Sequence, residues 1–292
     1  MKKIFVPTDF STCAYYASDV AMALADKVLA EVHFYTRVDV HPLWDGMSPN
    51  ARKDFPESFS KIQEVKSHFR DLRERYKDSK VRIVTTYSHG DMMGVINRYV
   101  DKEDVFMVVM GSSGSSGLKE VILGSNAQKV VKNASCPVMV IKHPPLNMDF
   151  KNIVFASDFR PEAKESFKQL IEFAAPFGAH IHLLYIEAPS SFNDAEADQR
   201  GNMDEFERMC WKLPCTKHTF GDLNIEMGIT HFATDTQADL IAVCNYGRPA
   251  LQKIFTGSIT EALVNHLELP VLTMNTRATN SWVQLTEEDL QA

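Results

Sequence analysis

The sequence lacks features that mark several large classes of protein. No apolar stretch in its 292 residues approaches the roughly 20 residues that a membrane-spanning helix requires. The chain has no basic excess either, because its formal net charge is −7. Proteins that bind nucleic acid by neutralising phosphates usually carry a surplus of cations. We therefore expect neither a membrane nor a nucleic acid as a partner.

Cysteine is scarce and scattered. The five cysteines are Cys13, Cys136, Cys210, Cys215 and Cys244, and they form no CxxC pair. An odd, dispersed set is typical of reduced thiols, which predicts a cytoplasmic protein. Cys210 and Cys215 flank Trp211, which indicates packing. His180 and His182 alternate on one predicted strand, and with His218, His231 and Cys244 they could assemble a zinc site, but the spacing of a metal motif is missing, so we expect no metal.

A repeat is the clearest positive feature of the sequence. Residues 2–10 reappear as residues 151–159, and residues 135–142 are echoed by residues 268–275. Pro144 and Pro145 interrupt both helix and central strand between the copies. We therefore predict one domain over residues 1–146 and a second over residues 147–276. Residues 277–292 have no counterpart in the repeat and are predicted to form a C-terminal tail.

Each copy alternates short apolar strands with helices. In the first copy the predicted strands are Ile4–Val6, Val32–Val38, Val81–Thr86, Val105–Met110 and Val138–Ile141. The predicted helices are one capped by Ser11, a long one with an apolar stripe (Phe55, Phe59, Ile62, Val65, Phe69, Leu72), and two near Met92–Val100 and Ser125–Asn133. The second copy opens with strand Ile153–Ala156 and a helix from Pro161. This pattern predicts an α/β fold with two doubly wound, Rossmann-like domains in tandem, each with a five-stranded parallel sheet.

A glycine-rich loop follows the fourth strand. Gly111, Gly114 and Gly117 fall within seven residues, and Gly124-Ser125 opens the next helix. Glycines allow the backbone to approach an anion closely, and the free N–H groups of a helix N-terminus favour phosphate. No Gly-Lys-Ser/Thr follows, so the loop is not a P-loop. Taken alone, it fits either a phosphate cradle or a flexible surface loop.

The spacing Gly111-x2-Gly114-x9-Gly124-Ser125 resembles the nucleotide signature of the universal stress protein family. The opening segment from Val6 to Ser11 and the segment from Gly124 to Val138 are similar to the family as well. The likeness covers both halves of the chain. The sequence therefore resembles a tandem family member with an adenine nucleotide alpha hydrolase-like fold.

The resemblance implies a site for an adenine nucleotide (ATP, ADP or AMP), with or without magnesium. The residues it places at the ligand are Pro7, Thr8, Asp9, Arg37, Met110, Gly111, Gly114, Gly117, Gly124, Ser125 and Asn126. Family members usually carry an apolar residue where this chain has Arg37. Asp9 has an alternative interpretation as a plain helix-start carboxylate beside Ser11.

The second copy preserves less of the motif. Its implied ligand residues are Asp158, Ile186, Gly247, Gly257 and Ser258. Cys244 stands where the first glycine should be, and its side chain is expected to hinder approach to a phosphate. We therefore expect an impaired second site.

The resemblance also implies how the copies associate, because family members usually dimerise through their last strands. Val138–Ile141 and Val271–Met274 are thus predicted to pair within one chain as a pseudo-dimer, and a further homodimer is plausible. The leading functional hypothesis is a nucleotide-dependent sensor or switch in the stress response, acting on an unknown protein partner. The alternatives are a nucleotide-independent interaction scaffold and, less favoured, a slow ATP- or metal-dependent hydrolase. No paired acid and base emerges, so we assign no catalytic residues.

Overall fold

The computed structural model describes residues 1–41, 43–89, 92–103, 105–112, 123–189, 196–245 and 257–275. The strands of the first copy are β1 (Lys3–Pro7), β2 (Glu31–Arg37), β3 (Ile83–Ser88), β4 (Val105–Gly111) and β5 (Val138–Ile141). Its helices are α1 (Thr12–Val28), α2 (Pro56–Arg75), α3 (Met92–Glu103) and α4 (Ser125–Asn133), with 3₁₀ turns at Trp44–Gly46 and Ala51–Asp54.

The second copy repeats this order. Its strands are β6 (Asn152–Ala156), β7 (His180–Glu187), β8 (Cys215–Gly221), β9 (Leu240–Asn245) and β10 (Val271–Asn275). Its helices are α5 (Ala163–Ala174), α6 (Glu196–Met209), α7 (Ile225–Asp235) and α8 (Gly257–His266), and a 3₁₀ turn at Ala175–Phe177 follows α5. The predicted α/β class with alternating strands and helices is confirmed.

All strands join in one 10-stranded sheet with the order β3-β2-β1-β4-β5-β10-β9-β6-β7-β8. Pairing within each copy is parallel, whereas β5 and β10 pair antiparallel, with Val140 opposite Val271 and Val138 opposite Thr273. The Thr273 hydroxyl also donates to the carbonyl of Val138 at 3.3 Å. The two last strands therefore associate within one chain, as expected, and they relate the copies by a pseudo-twofold axis.

The apolar core on each face of the sheet runs across this seam. Met139 and Leu272 belong to the cluster beneath α1, α2, α5 and α6. Val140 and Val271, one position along each strand, belong to the cluster on the opposite face. Because successive strand residues alternate between faces, a single pair of strands contributes to both cores. The linker at residues 142–151, which contains the predicted boundary, lies between β5 and β6.

Three local expectations from the sequence are wrong. Phe59 is 52% exposed, because the neighbouring Ser58 is the residue turned inward, where its hydroxyl accepts a hydrogen bond from the amide of His41. Helix α5 begins at Ala163, since Pro161 lies in a preceding turn. Trp211 is 58% exposed, so the packing expected here involves Cys210 and Cys215, which join the apolar core, and not Trp211.

Two further expectations concern the membrane and the tail. Across the part of the chain that the structure describes, no helix is both long and apolar enough to cross a membrane. The predicted C-terminal tail, residues 277–292, lies outside the described residues.

Candidate functional site

A cavity of about 570 Å³ opens at the carboxyl ends of β1, β2 and β4, beside the first turn of α4. Strand β1 lies between β2 and β4 in the sheet. The chain adds β2 and β3 on one side of β1 and then crosses from β3 to β4 on the other side. In doubly wound sheets such a switch point leaves a crevice between the loops, which is the usual position of a ligand site.

The sequence-predicted residues of the first copy converge on this cavity. Those that line it are Pro7, Thr8, Asp9, Arg37, Met110, Gly111, Gly124, Ser125 and Asn126. Gly114 and Gly117 lie outside the described residues. The cavity is therefore built from the ends of three strands and one helix that are distant in sequence.

The loop after β1 forms one wall. The amide of Thr8 donates to the carbonyl of Tyr35 on β2 at 2.8 Å, and its hydroxyl accepts from the amide of Phe10 at 3.0 Å. Phe10 has a φ of 61°, the left-handed conformation that turns the chain sharply into α1. Asp9 accepts from the amide of Ser11 at 3.1 Å through its Oδ1 atom. Asp9 thus shapes the turn before α1 and also lines the cavity.

The N-terminus of α4 forms the opposite wall. The amide of Gly124 donates to the carbonyl of Ser112 at 2.8 Å, and the first helical hydrogen bond runs from Gln128 to Gly124 at 2.9 Å. The amides of Ser125, Asn126 and Ala127 lie before that bond and therefore have no acceptor within the helix. The N-cap residue Gly124 provides no side-chain cap for them. With the positive end of the helix dipole, these N–H groups suit an anion.

Ser112, which belongs to the glycine-rich loop but was not among the predicted ligand residues, adds a buried hydroxyl. Its side chain lines the cavity and is only 1% exposed. Its Oγ atom has no hydrogen-bond partner among the residues that the structure describes. Because buried hydroxyl groups are nearly always hydrogen-bonded, this atom fits a polar ligand group in the cavity.

Several other lining residues were also missed: Ala14, Thr36, Asp39, Met92, Ala127 and Lys129. Lys129 had a usable signal, since it lies four residues after Ser125 and therefore on the same face of α4. Met92 had none, because it begins α3, an element whose position over the site depends on the tertiary fold.

The mouth of the cavity is formed after β2. Arg37, at the end of that strand, is exposed and lines the cavity with Asp39. The main-chain carbonyl of Asp39 accepts from the ammonium group of Lys61 on α2 at 3.1 Å. Val38 and Trp44 pack with α2 in a small apolar cluster. This cluster holds the mouth in place, and Arg37 and Lys129 contribute two cations to the cavity.

Gly111 has a second structural reason to be glycine. A Cβ atom at this position would lie 2.9 Å from the carbonyl carbon of Cys13 and 3.0 Å from its Cβ atom. Distances this short require the backbone at the start of α1 to move. Gly111 therefore allows α1 to pack closely on β4 in addition to lining the cavity.

In the second copy, Cys244 occupies the position of Gly111. The register shows this equivalence, because Ile4 pairs with Met107 in one copy as Ile153 pairs with Leu240 in the other. The Cys244 thiol is buried on the α5 side of the sheet, where burial raises its pKa to about 12. Helix α5 begins at Ala163, the counterpart of Ala14, and so starts two residues later in the repeat than α1. Cys244 is thus directed at the helix, and we correct our expectation that it projects at a phosphate.

Two other predicted residues of the second copy, Asp158 and Ile186, are engaged in an ion pair and in packing. Asp158 is 4% exposed, and its Oδ2 atom lies 3.0 Å from Nε of Arg160. Ile186 is buried so tightly against Gly228 of α7 that a Cβ atom on this glycine would meet it at 2.9 Å. Gly257 and Ser258 begin α8. Gly247 lies outside the described residues.

The histidines noted in the sequence lie near the β8 edge of the sheet. His182 Nδ1 is 3.2 Å from His218 Nε2, and His180 Nε2 is 2.7 Å from the hydroxyl of Thr216. Burial, together with the neighbouring histidines, lowers the pKa of His182 to about 4. No group of three or more His, Cys, Asp or Glu side chains suited to a metal ion occurs in the described ranges.

Comparison with known proteins agrees with this architecture. The model of the universal stress protein family matches residues 1–142 and 149–274. Universal stress protein MJ0531 of Methanocaldococcus jannaschii is 31% identical over 151 residues, which cover 49% of this chain and 83% of that protein. Universal stress protein YxiE of Bacillus subtilis is 28% identical over 148 residues, which cover 48% of this chain and 98% of that protein.

A solved structure shares the fold of the tandem chain. The crystal structure of a universal stress protein from Archaeoglobus fulgidus superposes with a TM-score of 0.71, covering 94% of this chain and 98% of that one at 18% identity. At this identity the likeness shows the fold alone. The double match to the family model is the stronger finding, because it includes both copies of the repeat. The chain is therefore a member of the universal stress protein family that carries two copies of the family domain.

Proposed function

We propose that the first copy binds ATP or a related adenine nucleotide and that the protein acts as a nucleotide-dependent sensor or switch in the stress response. The observation that carries this proposal is the cavity of about 570 Å³ on which the predicted residues converge. Ligand pockets for small molecules typically have volumes of roughly 300–1,000 Å³.

The two ends of the cavity suit different parts of a nucleotide. Donors and positive charge for phosphates come from the N-terminus of α4, whose N-cap residue Gly124 has no side chain, and from the ammonium group of Lys129. The hydroxyl of Ser112, which has no partner among the described residues, adds a further donor. The β1 loop and the buried Met110 offer a wall of mixed polarity for ribose and base. We assign Gly114 and Gly117 to the phosphate side on the family resemblance alone.

Binding without efficient turnover is the role we favour. The described lining of the cavity contains the carboxylates of Asp9 and Asp39 but no histidine or cysteine. General acid–base catalysis needs a group with a suitably tuned pKa within reach of the reacting atoms. Slow hydrolysis of ATP remains the less favoured alternative, and a nucleotide-independent scaffold remains the other.

For the second copy we propose an impaired site. The carboxylate that corresponds to Asp9 is buried in an ion pair with Arg160, which stands at the position of Ser11. A ligand hydroxyl would have to compete with a nearby full positive charge for that carboxylate. This pairing, and not the thiol of Cys244, is the physical basis of the proposal.

The first experiment is to count nucleotide on the purified chain. Protein is denatured, and the released small molecules are separated by ion-pair chromatography and quantified per chain. About one adenine nucleotide per chain is expected, whereas two would refute the impaired second site. If none is released, calorimetry with ATP, ADP and AMP, each with and without magnesium, follows. A flat titration with all of them would overturn the proposal in favour of the scaffold.

A matched pair of variants ties the binding to this cavity. Gly124→Val places a branched side chain at the cap of α4, where the backbone approaches the proposed phosphates, and is expected to weaken ATP binding at least tenfold. Gly46→Val is the control, because a Cβ atom at Gly46 meets nothing within 4 Å and Gly46 does not line the cavity. Equal loss in both variants would contradict the assignment. Sedimentation of the same samples tests whether the chain also forms the homodimer that the sequence analysis left open.

A further inference from the structure

A residue of the second copy contacts the segment of the first copy that leads into α4. Asn265, near the end of α8, accepts a hydrogen bond through its side-chain Oδ1 atom from the amide of Leu123 at 2.6 Å. Its main-chain carbonyl accepts a second hydrogen bond from the ammonium group of Lys142 at 2.8 Å. Leu123 and Lys142 both belong to the first copy. Asn265 is therefore held between two of its segments.

The position of Leu123 makes this contact important for the cavity. Leu123 directly precedes Gly124, whose amide is held by the carbonyl of Ser112, and α4 begins one residue later. The chain that enters α4 is thus fixed on one side by Ser112 and on the other by Asn265. Leu123 is 2% exposed, so its amide has little access to water if Asn265 is removed. A buried amide without a partner is costly, and the entry to α4 would shift to avoid that cost.

The corresponding residue of the first copy behaves differently. Aligning Gly124-Ser125 with Gly257-Ser258 places Lys132 at the position of Asn265. Lys132 forms an ion pair with Glu261 of α8 and donates nothing to a loop backbone in the described residues. Helix α8 therefore makes two polar contacts of different kinds with this region, an ion pair with α4 and a hydrogen bond with the residue that precedes Gly124. Of these two contacts, the one made by Asn265 lies at the entry to α4.

We propose that Asn265 is a positioning residue for the nucleotide site of the first copy, so that the second copy controls the affinity of the first. The inference rests on the proposed nucleotide binding. The amides at the start of α4 bind a phosphate well only when they are already held in place, because ordering them on binding reduces affinity. Helix α8 begins with Gly257-Ser258, the remnant of the second nucleotide motif. A displacement of α8 would move Asn265 and thereby shift the entry to α4 in the first copy.

The test uses the full chain and three variants, with ATP affinity measured by calorimetry and unfolding measured by urea. Asn265→Ala removes the acceptor for Leu123 and is expected to weaken ATP binding about tenfold. Asn265→Asp replaces the amide oxygen with a carboxylate oxygen that can still accept from Leu123, and it is expected to restore affinity to within about threefold of the wild type. Lys132→Ala breaks the ion pair between Lys132 of α4 and Glu261 of α8. It is expected to leave ATP affinity within about twofold of the wild type.

The outcomes separate this inference from the proposed function. If the wild type binds no nucleotide, the proposed function fails. If the wild type binds ATP and Asn265→Ala binds it equally well, the positioning role is overturned while the proposed function stands. Equal losses in Asn265→Ala and Lys132→Ala, without rescue by Asn265→Asp, would also overturn it, because they would indicate a general loosening of the interface. Calorimetry with adenosine completes the test. Because Asn265 is proposed to act on the phosphate end of the site, Asn265→Ala should change the affinity for adenosine by less than about twofold.

Discussion

Replacing Gly111 with alanine tests whether this glycine serves the packing of α1 as well as the ligand. The added Cβ atom would lie 2.9 Å from the carbonyl carbon of Cys13 and 3.0 Å from its Cβ atom. Ordinary contacts between such atoms are about 3.5–4.0 Å. Neither atom can rotate away as the end of a flexible side chain would, so the start of α1 must move.

The expected cost follows from this geometry. Overpacking a well-packed site typically costs about 1–3 kcal/mol, and a clash with backbone places Gly111→Ala near the middle, at about 2 kcal/mol. For a protein of this size that corresponds to a fall in Tm of about 4–8 °C. Gly111→Cys copies the residue found at position 244 and should cost more, because α1 begins too early to accommodate the thiol.

The assay is urea unfolding of ligand-free protein, followed by circular dichroism. Ligand-free protein is essential, because only the packing explanation predicts a loss of stability without nucleotide. Gly46→Ala is the matched control, since a Cβ atom there meets nothing within 4 Å. It should be neutral or slightly stabilising. If Gly111→Ala unfolds at the same urea concentration as Gly46→Ala, the packing argument is refuted and the glycine serves only the ligand.

Three further predictions follow from pKa shifts and charge. The folded-state pKa of His182 is about 4, below its ordinary value of 6.5. The unfolded chain therefore takes up this proton first, so the free energy of unfolding should fall by at most about 3 kcal/mol as the pH drops from about 6.5 towards 4. His182→Gln should flatten the dependence in urea titrations, and an unchanged slope would contradict the assignment. Burial raises the pKa of Cys136 and of Cys244 to about 12, so neither thiol should react with Ellman's reagent at pH 8 until urea is added. The partly exposed Cys215 should react in the native state, and labelling of Cys136 or Cys244 before Cys215 in mass spectrometry would contradict this. Lys129→Ala should weaken ATP binding about fivefold at low salt and adenosine binding by less than twofold, and equal losses in calorimetry would mean that Lys129 does not face the phosphates.

Sequence patterns sufficed where local signals determine the structure. The helix predicted at Ser125–Asn133 and the strand at Val138–Ile141 have these bounds in the structure. A residue that interrupts regular structure directly precedes each of them, Gly124 before the helix and Pro137 before the strand. Ser11 also caps α1 as predicted, accepting a hydrogen bond from the amide of Ala14. Such elements depend on a few neighbouring residues.

Other elements depend on contacts that no local pattern contains. Phe59 satisfies the helical periodicity of α2, yet Ser58 faces inward because its hydroxyl accepts a hydrogen bond from the amide of His41. Which of these two adjacent residues faces inward depends on how the helix is rotated about its axis. The segment that packs against the helix determines that rotation. Pro161 favours the first turn of a helix in sequence, but α5 starts two residues later.

The sequence by itself determined the repeat, the alternation of strands and helices, and the clustering of polar and glycine residues at strand ends. In a parallel sheet these ends meet at one edge, so the convergence of Asp9, Met110 and Gly124 on a common cavity could be predicted. Periodicity states which face of an element is apolar and where the element stops. It does not state which distant atoms that face will meet.

Only the tertiary structure decided the contacts between remote segments. It placed Cys13 against Gly111, left the buried hydroxyl of Ser112 without a described partner, and brought Asn265 of one copy to Leu123 of the other. Each depends on the separation between residues far apart in the chain, which is 2.9 Å from the added Cβ atom of Gly111 to Cys13 and 2.6 Å from Leu123 to Asn265. Such separations arise when whole helices pack on the sheet, because packing at crystal-like density leaves little freedom for adjustment.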